Sequence, residues 1–312
     1  MEFFHKVTRF PFMRTRRVWY GLSATLIVAS LGLVVLRGLN LGIDFTGGVV
    51  VETSFSQAPN IDQLRSALSK AGVTGGQVQA FGSSRDILVR LPPDPNAKGE
   101  QVGERIMDVF KSVDADVKLQ RTEVVGPQVG RELFEKGAWA LAATLVLIAL
   151  YVFMRFTFKL ACGAIVAVLH DPICVIGFFA ISQVTFDLTA ISAILAVIGY
   201  SLNDTVIVFD RVRERARTAR KLPVAQVIDE SINQTLSRTL MTKLVTLLVV
   251  VFLLVFGGET LHGFSAALVI GIIAGTYSSI YISAALALDF GLRTDDLLER
   301  RTAKPEEVDG LP

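Results

Sequence analysis

Asp204 lies inside a run of residues that is otherwise apolar enough to sit in a lipid bilayer. The stretch "SLNDTVIVFDR" (201–211) follows the apolar segment 188–200, and apolar residues continue through Phe209. A single charge near the centre of a membrane helix costs about 2.5–3.5 kcal/mol. Protonation, a paired cation or a water-filled cavity lowers that cost. A carboxylate that can gain and lose a cationic partner can also bind and release a proton, which is the chemistry we expect of Asp204.

Arg238 is the predicted cationic partner of Asp204. It lies in "SINQTLSRTLMTK" (231–243), and its depth would match that of Asp204 if the helix began near Ile232. Nearby polar residues are expected to support the same wet path; these are Ser201, Asn203, Thr205 and Thr242. The alternative interpretation is a fixed buried ion pair that sets helix packing.

His170 and Asp171 form a second deep polar pair, well inside another apolar run. They are predicted to be either a second proton relay or a satisfied polar pair at a kink, because Pro172 interrupts the helix hydrogen bonds there. Lys243 follows Arg238 by five residues, about 140° around a helix of 3.6 residues per turn. Lys243 is therefore expected either to snorkel to the membrane surface or to pair with Asp171.

The elements that must position these side chains are membrane helices. Hydrophobic residues make up 51% of the 312 residues and the mean hydropathy is +0.51, which is too apolar for an ordinary soluble protein. A membrane helix needs roughly 20 mainly apolar residues. Six such runs occur, at about 18–36, 137–154, 160–181, 188–209, 239–256 and 264–288. The first is predicted to be an uncleaved anchor, because it is long for a signal peptide.

Basic residues predict the orientation of the spans. They lie in the tails 1–17 and 291–312 and at Arg155 and Lys159, which follow the second apolar run. A further cluster consists of Arg211, Arg213, Arg215, Arg217, Arg220 and Lys221. The loops "SQVTF" and "GGETLHG" contain no Lys or Arg. Because cytoplasmic loops carry the excess of Lys and Arg, we expect both termini in the cytoplasm. The cluster is interpreted either as a topology determinant at lipid head groups or as a partner contact. The net charge of +2 gives no indication of nucleic-acid binding.

The segment 38–136 has the character of a soluble domain. Alternating apolar residues predict strands at 47–55, 76–82, 86–91 and 115–125, and helical spacing predicts helices at 60–72 and 99–113. This order is typical of the ferredoxin-like fold. The predicted fold class is an α-helical polytopic membrane protein with six transmembrane helices and a ferredoxin-like α+β periplasmic domain between the first and second helices. Its divisions are the tail and first helix (1–37), the periplasmic domain (38–136), a five-helix bundle (137–290) and a cytoplasmic tail (291–312).

The sequence contains no constellation for covalent catalysis. It has no nucleophile with a base beside it, no metal-ligand spacing and no phosphate-binding loop. Cys162 and Cys174 lie in one apolar run, ~18 Å apart along a helix, which excludes a disulfide between them. We therefore predict that the protein is not an enzyme and uses no metal or other cofactor, with protons as the coupling ion.

Five segments give the chain a family resemblance. They are "GIDFTGG" (42–48), "VVGPQVGREL" (124–133), "IGYSLNDTVIVFDRVRE" (198–214), "SINQTLSRTL" (231–240) and "GTYSSIYIS" (275–283). In this order they resemble SecF-type members of the SecD/SecF family of bacterial protein-export proteins, part of the RND superfamily. The resemblance implies that Asp204 of "NDT" and Arg238 of "LSRT" take part in proton passage. Pro172 and Lys243 depart from the pattern expected of the family.

The resemblance also implies partners and a location. The partners are SecD, the SecYEG channel and a translocating unfolded polypeptide, with YajC and YidC as further candidates, and the location is the bacterial inner membrane. The implied function is to use the proton gradient to promote late stages of protein export, through proton-coupled motion of the periplasmic domain. Two alternatives stay open: a proton-driven RND-type exporter of small molecules, for which the outer domain is small, and a non-conducting scaffold for an insertase.

Overall fold

A computed structural model describes residues 8–93 and 99–297 of the chain. Its helices are α1 (Arg16–Arg37), α2 (Ile43–Thr46), α3 (Ile61–Lys70), α4 (Gly99–Val113), α5 (Pro127–Arg155), α6 (Phe158–Ser182), α7 (Leu188–Thr218), α8 (Val224–Phe256), α9 (His262–Ser278), α10 (Ala284–Asp289) and α11 (Thr294–Leu297). Its strands are β1 (Gly48–Ser54), β2 (Gln77–Phe81), β3 (Ser83–Leu91) and β4 (Lys118–Val125). A π-helical turn, Ser279–Ser283, joins α9 to α10. The predicted tail basic residues Lys6, Arg300, Arg301 and Lys304 lie outside the described ranges.

Six helical segments in the described ranges are long and apolar enough to cross a membrane, which confirms the six predicted spans. They are α1, α5, α6, α7, α8 and the continuous stretch from α9 through α10. Helices suit this environment because they satisfy every backbone polar group internally. Two of them are longer than the apolar runs predicted: α7 continues to Thr218 and α8 begins at Val224. Hydropathy marks only the lipid-compatible part of a helix, so it misses the charged ends.

Helices α6, α7 and α9 form the centre of the bundle and are the most buried of the six spans. Glycine permits their close approach: a Cβ atom at Gly271 of α9 would collide with Val197 of α7. The glycine pair Gly271 and Gly275 therefore lies at a helix–helix contact, as its four-residue spacing indicates. α6 is continuous through Pro172 from Phe158 to Ser182.

The segment between α1 and α5 forms an antiparallel sheet with the strand order β2-β3-β1-β4. This order, with α3 and α4 packed on one face, confirms the predicted ferredoxin-like fold. The fully buried members of its core include Val51, Leu64, Val89, Ile106 and Phe110. α3 begins after Asn60, whose Oδ1 accepts hydrogen bonds from the backbone N–H groups of Asp62 and Gln63 and so caps the helix.

Arg90 of β3 fastens the sheet to the membrane bundle. Its guanidinium donates to Asn40 Oδ1 (3.2 Å) and Leu41 O (3.4 Å), which follow α1, and to Thr185 Oγ1 (3.0 Å) in the α6–α7 loop. Burial lowers the pKa of Arg90, whereas the negative charge of Asp187 raises it. Guanidinium groups stay protonated in proteins. Arg90 is therefore a charged residue that links the domain to the segment after α1 and to the α6–α7 loop.

The chain segments around Arg90 are also joined through their backbones. Gly42 N–H donates to Phe186 O (2.8 Å), and Leu188 N–H at the start of α7 donates to Asp44 Oδ2 (3.1 Å). Gly130 of α5 approaches Phe45 so closely that a Cβ atom there would lie 3.0 Å from the Phe45 carbonyl oxygen. The domain is thus attached to α1, α5 and α7 by direct contacts.

Candidate functional site: buried charges between the membrane helices

The central feature of the bundle is an ion pair between Asp204 of α7 and Lys243 of α8. Lys243 Nζ lies 2.7 Å from Asp204 Oδ2, and the two residues are only 6% and 4% exposed. Neither of these two atoms has another hydrogen-bond partner within residues 8–93 and 99–297. The ammonium also lies 5.9 Å from the centroid of the Tyr200 ring, over its face. Each charge therefore depends on the other for its compensation.

Arg238 does not reach Asp204, which corrects the predicted pairing. Its side chain is exposed on α8 and has no hydrogen bond or ion pair in the described part of the chain. The buried stripe of α8 contains Leu236, Thr239, Lys243 and Val250. The intervals of three, four and seven residues in this stripe keep one helix face turned inward. Lys243 lies on that face and Arg238 does not.

The two expectations for Lys243 are wrong, and two of the predicted polar residues lie apart from the buried cluster. Lys243 neither snorkels to the membrane surface nor pairs with Asp171, because Asp204 holds it inside the bundle. Asn203 and Thr242 are exposed and lie outside the buried cluster. The Thr242 hydroxyl donates to the carbonyl oxygens of Arg238 (3.1 Å) and Thr239 (3.0 Å) on its own helix. Neither side chain lines a path to Asp204 in this conformation.

Asp171 is held by groups from three helices. Its Oδ1 is 3.0 Å from His170 Nδ1 on α6, and its Oδ2 accepts hydrogen bonds from Ser278 of α9 (3.0 Å) and from Ser201 of α7. A Cβ atom at Gly275 would lie 3.3 Å from the same Oδ2 atom, so the glycine makes room for this contact. The carboxyl group is fully buried and both of its oxygens have partners.

His170 connects the Asp171 cluster to α1. Its Nε2 lies 3.6 Å from the sulfur of Cys174, and its ring centroid lies 5.8 Å from that of Tyr277. The Tyr277 hydroxyl donates to Trp19 O (2.6 Å) and lies 2.9 Å from Ser23 Oγ on α1. His170 Nδ1 lies at hydrogen-bonding distance from Asp171 Oδ1, so an ionised Asp171 would accept a hydrogen bond from a protonated Nδ1.

The Asp204–Lys243 ion pair and the Asp171 cluster are joined along one face of α7. Ser201, which donates to Asp171, precedes Asp204 by three residues, and residues at this spacing are neighbours on a helix. Buried hydroxyl oxygens of Thr205 and Thr239 have no hydrogen-bond partner among the described residues. Unpaired buried polar atoms of this kind are places where water is accommodated. The arrangement therefore places polar groups beside Asp204, a carboxylate that can bind a proton.

The structure thus brings together five of the predicted site residues and adds three more. The predicted residues in the buried cluster are His170, Asp171, Ser201, Asp204 and Thr205; the added residues are Lys243, Gly275 and Ser278. The sequence does indicate that Lys243 belongs to the site, because a lysine inside an apolar run needs a buried counter-charge. Which acid would meet it depended on the rotation of α8, and the sequence alone does not supply that angle.

Comparison with known proteins identifies the family. A family model described as "Protein export membrane protein SecD/SecF, C-terminal" matches residues 105–293, and one described as "SecD/SecF GG Motif" matches residues 32–59. The chain belongs to the SecD/SecF family. The resemblance read from the five sequence segments is confirmed, and the chain is a multi-pass membrane protein of protein transport.

Individual SecD/SecF relatives match over almost the whole chain. The protein translocase subunit SecF of Haemophilus influenzae is 44% identical over 96% of this chain and 91% of its own length. The SecF subunits of Vibrio alginolyticus and Escherichia coli O157:H7 are 45% and 41% identical, over 96% and 95% of this chain and 96% and 92% of theirs. The crystal structure of SecDF, a translocon-associated membrane protein from Thermus thermophilus, superposes with a TM-score of 0.81 at 36% identity. That match covers 91% of this chain and 39% of the longer SecDF chain.

Proposed function

We propose that the chain uses the proton gradient to promote late stages of protein export, and that Asp204 is its proton-binding group. The observation that carries this proposal is the buried ion pair with Lys243, 2.7 Å long and without other partners in the described ranges. Ionisable residues inside membrane spans are rare, and they mark ion and proton pathways. Protons are the coupling ion, and no metal or organic cofactor takes part.

Protonation of Asp204 removes the negative charge that compensates Lys243. A buried ammonium without a counter-charge is costly, so the neutral acid favours a second arrangement in which Lys243 turns towards water or another acid. Ser201 lies on the same face of α7 and donates to Asp171. A shift of α7 therefore also changes its contacts with α6 and α9. One charge that crosses 100 mV supplies about 2.3 kcal/mol, which is enough to bias a two-state equilibrium.

The contacts at the other end of α7 offer a route from the ion pair to the domain. α7 begins at Leu188, directly after the loop that Arg90 and the segment following α1 both hold. α5 follows β4 after the single residue Gly126. Helices are rigid compared with loops, so a tilt of α7 or α5 changes the angle of the sheet. Motion of the domain is therefore proposed as the mechanical output of proton binding.

The exposed Arg238 favours a partner on the outer face of α8. A guanidinium on a membrane span is costly without an acidic or polar neighbour, and none of the described residues supplies one. We assign this face to SecD, so that Arg238 meets its counter-charge in the assembled complex. The other proposed partners are SecYEG, YajC, YidC and an unfolded polypeptide. We also propose that the domain lies on the periplasmic side of the inner membrane and both termini on the cytoplasmic side, which the distribution of Lys and Arg supports.

Proton flux in reconstituted vesicles tests the proposal directly. The chain is co-reconstituted with SecD and SecYEG, and a pH-sensitive dye records inward flux while protein export is measured in parallel. We expect Asp204→Asn to abolish both the flux and the proton-dependent part of export. The matched control is Asp210→Asn, because Asp210 lies on the same helix but is more exposed and pairs with Arg155 (2.7 Å). Normal flux and normal proton-dependent export with Asp204→Asn would overturn the proposal.

A further inference from the structure

A groove of about 710 Å³ opens on the lipid-facing side of the bundle between α1 and α8. Its floor is formed by α9 and the π-helical turn, and one wall is formed by α8 from Leu236 to Leu247. Residues 8–13 cross from α1 to α8 at one end. There the Thr8 hydroxyl (2.7 Å) and the Phe10 N–H (2.9 Å) donate to Asn233 Oδ1. The groove is therefore bounded at this end and open sideways.

The lining of the groove is apolar and aromatic. Trp19 of α1 packs on Tyr281 with a centroid distance of 4.2 Å, and Phe12 meets the same ring edge-on at 5.4 Å. Lys243 contributes its side chain to the wall while its ammonium is bound to Asp204. The Tyr281 hydroxyl has no hydrogen-bond partner within the described residues. A cavity of this chemistry excludes water and accepts a hydrocarbon chain, with one free hydroxyl donor.

The length of the groove suits one leaflet of a bilayer. The eleven steps from Leu236 to Leu247 on α8 span about 16 Å, against a hydrocarbon core of about 30 Å. The groove runs from the end near residues 8–13 towards the membrane centre. An acyl chain that enters beside these residues would therefore extend to the bilayer midplane.

Two exposed basic residues lie in or next to the segment that bounds the groove, which also contains Met13, whose N–H donates to Asp229 Oδ1 (2.8 Å). Arg9 and Arg14 flank the lining residues Phe10 and Thr15 in sequence, and both arginines are exposed with no ion-pair partner in the described part of the chain. Arg16, by contrast, is bound to Asp289 (3.0 Å). Basic residues at the start of a membrane helix attract anionic lipid head groups. The apolar groove and the charged end thus match the two halves of one amphipathic ligand.

We propose that this groove is a binding site for an anionic phospholipid. The phosphate lies at Arg9 and Arg14, and one acyl chain lies along α8 past Trp19 and Tyr281. The chain covers the outer side of Lys243 and keeps water from reaching its ion pair with Asp204 through the lipid-facing surface. This site does not depend on proton coupling, because the recognition rests on the groove and its charges.

The two tryptophans of the chain allow a direct test. Trp19 lines the groove, whereas Trp139 is 75% exposed on α5. In a Trp139→Phe variant reconstituted in vesicles, brominated phosphatidylglycerol should quench Trp19 more strongly than brominated phosphatidylcholine at equal mole fraction. Arg9→Gln and Arg14→Gln should each reduce that preference about fivefold, the value for about 1 kcal/mol per basic residue at a membrane surface. Trp19→Phe, which leaves Trp139 as the reporter, should show no preference.

Equal quenching of Trp19 by the two lipids would overturn the proposal, because it would mean contact with bulk lipid only. A second measurement identifies the occupant in the full complex with SecD and SecYEG. A photoreactive side chain at Leu244, which lines the groove, should capture phospholipid. Capture of a protein partner at Leu244 would assign the groove to a subunit interface and would also overturn the lipid site.

Discussion

Lys243 Nζ and Asp204 Oδ2 lie 2.7 Å apart between α8 and α7, and each is the other's sole ion-pair partner in the described ranges. The pair joins α7 to α8, whereas Ser201, one turn away on α7, joins the same helix to Asp171 of α6. Two carboxyl groups with different surroundings therefore lie beside one helix. Asp204 has a single cation as its partner, and Asp171 has three donors. Protonation would therefore remove the ion pair of Asp204, whereas Asp171 is held by three separate donors.

Removal of Lys243 alone should destabilise the protein more than removal of both charges. Lys243→Met leaves a buried, unpaired carboxylate, for which the expected cost is about 3–5 kcal/mol. In the double variant Asp204→Asn/Lys243→Met most of that loss should be recovered, because no charge remains without compensation. A double-mutant cycle of unfolding free energies in bicelles measures this coupling. Arg155→Met and Asp210→Asn form the control cycle on a partly exposed pair, where about 0–1 kcal/mol is expected.

The same double variant separates stability from proton coupling. It should fold and insert but carry no proton flux with SecD and SecYEG, because its titratable group is gone. A double variant that retains flux would show that Asp204 is structural. Additive single effects in the cycle would show that the two charges are not coupled.

The Asp171 cluster should respond sharply to the loss of one hydroxyl. Ser278→Ala removes a hydrogen bond of 3.0 Å to Asp171 Oδ2, and hydrogen bonds to charged groups contribute about 1.5–3 kcal/mol. The neighbouring Ser279→Ala is the matched control, because within the described residues that hydroxyl donates only to the Thr276 carbonyl oxygen one turn away. The unfolding free energies of the two variants should show a larger loss for Ser278→Ala than for Ser279→Ala. Equal losses would indicate that Asp171 does not need the Ser278 donor.

The features that sequence reasoning predicted are those set by local patterns. Hydropathy marks six spans because lipid admits few other solutions, and alternation with turn residues marks the βαββαβ order of the domain. Asp204 stood out because a carboxylate inside an apolar run is costly wherever it lies. None of these predictions needs knowledge of how one helix is rotated against another.

The pairing of Asp204 required that missing knowledge. Arg238 and Lys243 differ by about 140° around α8, so only one of them can face α7. The choice was settled by packing of the whole face that contains Leu236, Thr239 and Lys243. Ser278 was similarly hidden, because its role depends on the close approach of α9 to α6 at Gly275. Interhelical contacts of this kind arise from tertiary packing, and a single sequence does not report them.

Arg90→Met should loosen the domain from the bundle without unfolding either. The substitution removes hydrogen bonds to Asn40, Leu41 and Thr185, and the loss of one charged hydrogen bond already raises local opening roughly tenfold. Hydrogen exchange monitored by mass spectrometry should therefore accelerate in residues 38–44 and 183–188 and stay constant in α3 and α4. Arg85→Met on the same strand is the control, because Arg85 is exposed. Unchanged exchange in both loops would contradict the role of Arg90.

Acid should weaken the domain in part through Asp86 of β3. Hydrogen bonds from Ser54 and Ser83 lower the pKa of Asp86 below its ordinary value of 3.8. The folded domain therefore holds that proton less tightly than the unfolded chain does, so the stabilisation is complete above the unfolded pKa and is lost as pH falls through the folded one. Asp86→Asn should lower domain stability at pH 5 and flatten its decline below about pH 4, and Asp108→Asn, at an exposed position on α4, serves as the surface control. Pulse proteolysis with pepsin in urea measures domain unfolding across this range, and an unflattened decline in Asp86→Asn would show that other carboxyl groups control the acid response.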